Sequence, residues 1–152
     1  MNPTLKKLNL KEGTTVFVQN FPADLPELLA DLRALATVTE TLDQPVDAAL
    51  VFATTQQEIN ATAPKLAAQA PGDAVLWFVY PKGSSKKYRC NFNRDTGWAM
   101  LGELGFEPVR MVAIDADWSA LRFRRTTFIK QLSRTRALSA EGQQRLATGS
   151  AE

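Results

Sequence analysis

The hydrophobic pattern opens with TTVFVQN at 14–20, a β-branched and aromatic-rich run that predicts a strand. Pro22 and Asp24 break it. Leu25, Leu28, Leu29, Leu32 and Leu35 then recur at helical spacing and predict an amphipathic helix over 25–36. Asp24 and Glu27 have the spacing of a capping box at its start. VTETL at 38–42 predicts a short strand, and Pro45 punctuates. VDAALVFA at 46–53 is almost wholly apolar, the pattern of a strand buried on both faces of a parallel sheet. Over 55–70, Ile59, Ala63, Leu66 and Ala67 share one helical face; Pro64 inside that pattern predicts a kink or a second short helix.

AVLWFVY at 74–80 is the strongest strand pattern. A basic loop follows it, then a predicted helix over 94–104 with Trp98, Leu101 and Leu104 inward and Gly105 as its stop. VRMVAID at 109–115 and WSALRFR at 118–124 are separated only by Ala116 and Asp117, a link so short that it demands antiparallel pairing. Leu121 and Phe123 alternate with Arg122 and Arg124, giving one apolar and one cationic face. Beyond Arg125 the apolar groups thin out. A short helix over 127–134 and a loosely held tail to residue 152 are expected, leaving 1–125 as one domain. Strands alternating with helices and finished by a hairpin make an α/β fold: a Rossmann-like, mostly parallel sheet with helices on both faces and a C-terminal antiparallel hairpin. This arrangement resembles that of the class I methyltransferases.

Composition then narrows the chemistry. The chain has 152 residues, enough for one domain with a substantial core. It has no histidine, which removes Ser-His-Asp and Cys-His nucleophile pairs and imidazole metal sites. Its one cysteine, Cys90, excludes an internal disulfide and a thiolate zinc site. No clustered aspartate pattern suggests an oxygen-ligated metal, no apolar run is long enough for a membrane span, and residence in the cytoplasm is expected. Net charge is +2, but residues 82–136 hold 12 basic against 5 acidic side chains. That excess points either to an anionic partner or to a solvated basic surface.

YPKGSSK at 80–86, NRDTGW at 93–98 and VAIDADWSALRFR at 112–124 together resemble a family of short, uncharacterised bacterial proteins. The resemblance implies a compact α/β domain and supplies no catalytic residues. A methyltransferase-like fold would carry a glycine-rich turn after its first strand. Here the turn is QNFPAD at 19–24, without glycine, so neither S-adenosylmethionine nor another cofactor is expected.

The candidate site is the loop after the strongest strand, where open α/β sheets bind ligands. Gly83 frees the backbone so that its amide and those of Ser84 and Ser85 can converge on an anion. Lys82 and Lys86 add charge, and a helix beginning near Arg94 or Asp95 offers free amides. Lys87, Arg89, Arg122 and Arg124, with Arg110 on the paired strand, make a second candidate, a basic patch. Such a patch serves weak nucleic-acid binding or merely blunts a sheet edge. Asp115 and Asp117 read as turn formers before they read as an acid–base pair. Cys90 reads as a packed side chain before it reads as a thiolate activated by neighbouring cations. Trp77, Trp98 and Trp118 read as core, with Trp118 nearest the surface. The leading expectation is a non-enzymatic binding module with an anion-facing loop at 82–94. One alternative is a degenerate methyltransferase-like enzyme relying on Asp95, Asp115 or Asp117. The other is a weak nucleic-acid binder using 82–89 and 122–136.

Overall fold

The computed structural model describes residues 2–92 and 97–129. The elements run α1 (Pro3–Lys7), β1 (Thr15–Gln19), α2 (Pro26–Leu35), β2 (Thr37–Thr39), β3 (Ala48–Phe52), α3 (Gln56–Gln69), β4 (Val75–Pro81), α4 (Ala99–Glu103), β5 (Phe106–Ala113) and β6 (Trp118–Arg125). A 3-10 turn at Thr126–Phe128 follows.

The strands form one sheet in the order β2-β1-β3-β4-β6-β5. The first four are parallel, and β6 enters antiparallel between β4 and β5. The expected fold class is therefore the observed one. Every residue of β3 is buried, as its unbroken apolar run requires. Alternate side chains divide between two cores. Val16, Val18, Leu50, Phe52, Trp77 and Val79 pack with Leu5 and Leu8 of α1 and Leu28 and Leu32 of α2. Phe17, Ala49, Val51, Leu76 and Phe78 pack with Ile59 and Leu66 of α3 and Leu101 of α4. Leu121 and Phe123 join this second core, with Phe78, Trp98 and Phe123 in edge and tilted ring contacts.

Several local expectations change. The first helix, α1, carries no long apolar stripe; it forms because Asn2 accepts a bond from the Thr4 amide and Pro3 sits in its first turn. Leu25, not Asp24, precedes α2, so Glu27 falls too early to reciprocate and the expected capping box is absent there. The capping box belongs instead to α3, through Thr55 and Glu58. Pro64 does not divide α3, which runs unbroken over 14 residues. Pro64 is solvent-exposed, while Ile59, Ala63 and Leu66 on the other side hold the helix to the sheet. The described helix after the basic loop begins at Ala99, with buried Trp98 as its cap, rather than near residue 94; Gly105, at φ 88°, ends it as expected. Residues 93–96, most of the predicted 127–134 helix and the tail lie outside the described residues.

The cationic face of β6 is tied into the structure. Arg124 donates two bonds to the Asp73 carboxylate, at 2.8 and 2.7 Å. Arg125 caps the end of α3 by donating to the carbonyls of Ala67, Ala70 and Gly72 and lies 4.9 Å from the Phe106 ring centre. Two substitutions separate the contributions of core and surface. Phe123→Ala should destabilise the fold by about 3–5 kcal/mol. Arg124→Ala, which removes only a partly exposed ion pair, should cost no more than about 1 kcal/mol. Urea unfolding with an unchanged slope measures both, and equal losses would mean that the Phe123 cluster is not packed as described.

Candidate ligand cleft at the carboxyl ends of the parallel strands

From β1 the chain crosses to β2 on one side and then returns to β3 on the other. The connections therefore diverge between β1 and β3, leaving a crevice beyond their carboxyl ends, where open α/β sheets place ligands. A cavity of about 240 Å³ opens there, lined by Asn20, Pro22, Ala23, Phe52, Thr54, Glu58, Tyr88 and Trp118.

The floor is built by the turn after β1. Asn20 adopts φ 56°, a left-handed conformation that asparagine tolerates better than most residues. Its side-chain amide donates to the Phe52 carbonyl and, at 2.8 Å, to the Glu58 carboxylate. Glu58 also accepts from the amides and hydroxyls of Thr54 and Thr55. Burial pushes the Glu58 carboxyl up, but these bonds outweigh it and hold the group below its ordinary value of 4.5. One carboxylate thus fastens the end of β1, the end of β3 and the start of α3.

The walls are aromatic. Phe21 packs on Phe52 with ring centres 4.7 Å apart. Phe52 meets Trp118 edge-on at 5.2 Å, and Tyr88 lies tilted against Trp118 at 4.7 Å. Trp118 reaches this position because β6 runs antiparallel: its first residue pairs with Pro81, the last of β4. It is 3% exposed, so the tryptophan nearest the surface in the sequence reading is in fact buried. The Asp115 carboxylate accepts from the amides of Asp117 and Trp118, the turn-forming role expected of it.

The basic loop borders the cleft. Its Lys82 amide donates to the Asp117 carbonyl, and the Ser85 amide to the Lys82 carbonyl. The Ser85 hydroxyl donates to the Asp117 carboxylate at 2.9 Å and accepts from the Lys87 and Tyr88 amides. Lys87 lies 3.9 Å from both Asp24 and Asp117. Burial, with Asp24 hydrogen-bonded to it, pushes the Tyr88 phenol up. Ser85 and Lys87 thus face carboxylates, whereas Gly83, Ser84 and Lys86 are exposed. Gly83 is not in the left-handed region, and a Cβ there would meet nothing. The Arg94 and Asp95 contribution lies outside the described residues, and the described helix after the loop is the five-residue α4 from Ala99.

The other candidates do not converge on this loop as one site. Arg122 and Arg124 stand further along β6, opposite Trp77 and Glu107 respectively, while Arg110 pairs with Arg122 on the outer strand β5. Burial, then the Arg124 charge, pushes the Arg122 guanidinium down. Arg89 is exposed. Cys90 packs against the α3-side core, and burial pushes its thiol up, opposite to cationic activation. Among the described residues no group of three acidic, cysteine or histidine side chains is placed to hold a metal, and no helix is long and apolar enough to cross a membrane. Sequence reasoning missed Asn20, Glu58, Tyr88 and Trp118 as a unit. The one local signal was Thr55 followed by Glu58, whose capping-box spacing fixes the acid beside the β3 terminus.

No family model matches the chain, and no curated protein matches it. Its fold is shared with solved methyltransferases. A SAM-dependent methyltransferase from Aquifex aeolicus is 16% identical, with a TM-score of 0.57 over 79% of this chain and 86% of that one. A putative type 11 methyltransferase from Sulfolobus solfataricus is 7% identical, with a TM-score of 0.54 over 81% and 89%. The [4+2]-cyclase SpnF is 9% identical, with a TM-score of 0.52 over 80% and 78%. At these identities the likeness is one of fold, and the cyclase shows that the fold is not confined to one named chemistry.

S-adenosylmethionine, the group implied by these neighbours, does not fit the residues present. A cofactor at the end of β1 needs a glycine turn that lets backbone approach it closely. Here Asn20 spends its side chain on Phe52 and Glu58, and the Phe21 ring packs on Phe52, the last residue of β3.

The Glu58 clamp has a pH signature. A carboxyl whose folded pKa is depressed contributes stability that is full above the unfolded value and lost as pH falls through the folded one. Glu58→Gln should lower stability by about 1 kcal/mol at neutral pH. That difference should persist down to the ordinary carboxyl value of 4.5 and shrink below it. Urea unfolding of both proteins across this range checks it; a gap that does not change with pH would show that the ionised carboxylate is not what holds the turn.

Proposed function

We propose that this chain is a small-molecule-binding module built on a methyltransferase-like frame, with the crevice beyond β1, β3 and β4 as its ligand site. The observation that carries this reading is the aromatic cavity of Asn20, Phe52, Thr54, Glu58, Tyr88 and Trp118 at the topological switch point. Its volume, about 240 Å³, lies under the roughly 300–1,000 Å³ of drug-sized sites and suits a molecule of one or two rings. The turn that replaces the glycine cradle favours binding over methyl transfer. The loop at 82–86 forms one rim. In this reading Lys82, Gly83, Ser84 and Lys86 meet the polar part of a ligand, while Ser85 fixes the loop to Asp117.

A second reading, transfer of a methyl group, is favoured by the shared fold alone. The two differ in one measurement. Backbone amide shifts are followed while S-adenosylmethionine, phosphate, sulfate and small aromatic compounds are each titrated to millimolar concentration. The binding-module reading expects saturable shifts at Asn20, Phe52 and Thr54 with aromatic compounds and none with S-adenosylmethionine. Movement of the 83–85 amides by phosphate or sulfate would mark the rim as anion-facing. Saturable binding of S-adenosylmethionine at Asn20 and Phe21 would replace this reading with the enzymatic one.

A further inference from the structure

We propose that Trp118 is the recognition donor of this cleft and that its ligand is a flat, uncharged molecule with a hydrogen-bond acceptor on its edge, seated on the indole in place of Tyr88. The proposal rests on the cleft being the binding site and names what it binds.

Trp118 is buried, lines the cavity and has no acceptor for its Nε1–H among the described residues. Buried indole donors ordinarily have partners, because a donor withdrawn from water and left unpaired is costly. The same sheet face shows the ordinary case: Trp77 Nε1 donates to the Leu8 carbonyl at 2.7 Å. Trp118 is also held in place. Its amide is bound by Asp115, its strand position is paired with Pro81, and Phe52 meets its ring edge-on. A fixed donor in a largely apolar cavity is the arrangement that selects an acceptor on a ligand.

Solvent does not reach Nε1, so an acceptor gains it only when a neighbouring group shifts. Tyr88 is the ring suited to move. It lies outside the sheet, its phenol is hydrogen-bonded to Asp24, and its segment is otherwise anchored by partly exposed contacts: Ser85 to Asp117, and Lys87 at 3.9 Å from Asp24 and Asp117. Such exposed ion pairs resist little. A flat ring replaces the stacking that Tyr88 gives up. Charge sets the remaining requirement. At the indole, Asp24, Asp115 and Asp117 all bear on Tyr88 and Glu58 lines the cavity, with Lys87 facing them, while Lys82 is half-buried and Lys86 and Arg89 are exposed on the rim. This excess of carboxylates repels an anionic acceptor, while the indole donor disfavours a cation. An amide, a carbonyl or a ring nitrogen remains.

The full chain, with its tryptophan indoles labelled with nitrogen-15, is titrated with benzamide, benzoate and toluene. These probes share a ring and differ in carrying a neutral acceptor, a charged acceptor or none. Benzamide should move the Trp118 indole N–H resonance downfield, leave that of Trp77 unmoved and bind more tightly than the other two. Trp118→Phe, which keeps a ring but no donor, should weaken benzamide by roughly 3- to 10-fold. Tyr88→Ala should strengthen it by removing the competing ring, and this variant decides the matter if Trp118→Phe fails to fold. If the probes shift the Asn20 and Thr54 amides while the Trp118 indole stays still, or if benzoate binds as well as benzamide, the donor role is wrong and the cleft survives as a site. If no probe moves any cleft resonance, both readings fall.

Discussion

Burial of the central strands on both faces is the constraint from which the rest follows. β3 is buried at every position and β4 at all but its first. Strands of that kind need cover on each side, so α1 and α2 are drawn to one face and α3 and α4 to the other. Covering both faces forces the chain to cross the sheet, and the crossing creates the divergence between β1 and β3. The cleft is thus a by-product of how the core is sealed. Its aromatic walls continue that core outward, since Phe52 and Trp118 belong to the same cluster as Leu50, Trp77 and Ala120.

The turn after β1 lies at the same point. Asn20 supplies the left-handed turn by its own tolerance of positive φ and brings a side chain with it. That side chain is committed to Phe52 and Glu58, so the end of β1 is knitted to β3 and α3. Beside this turn lies the recess of about 240 Å³ lined by Phe52, Tyr88 and Trp118. The Glu58 carboxylate thus both holds this turn and lines the recess.

The basic loop shows how charge in a sequence differs from charge in a fold. Lys82, Lys86, Lys87 and Arg89 crowd one stretch, but Asp24 and Asp117 arrive from two other segments to meet Lys87, and Ser85 turns its hydroxyl to Asp117. Arg124 and Arg125, counted as part of a cationic face, brace Asp73 and the end of α3. Local composition sums charges along the chain, whereas electrostatic fields depend on neighbours in space.

By itself the sequence determined the class of the sheet, the two-sided burial of the strand within 46–53, the strand at 74–80, the inward face of Leu121 and Phe123, and the antiparallel return across Ala116 and Asp117. Each of these rests on periodicity or on the reach of a short link, which are properties of neighbouring residues. Tertiary structure alone decided that Pro64 stays within one helix, because contacts of Ile59, Ala63 and Leu66 hold the segment to the sheet. It alone placed Trp118 against Phe52 and Tyr88, residues separated by tens of positions, since only the insertion of β6 beside β4 brings them together. A cleft made of one residue from each of several strand ends has no local pattern, and that is why the fold was legible in the sequence and the cleft was not.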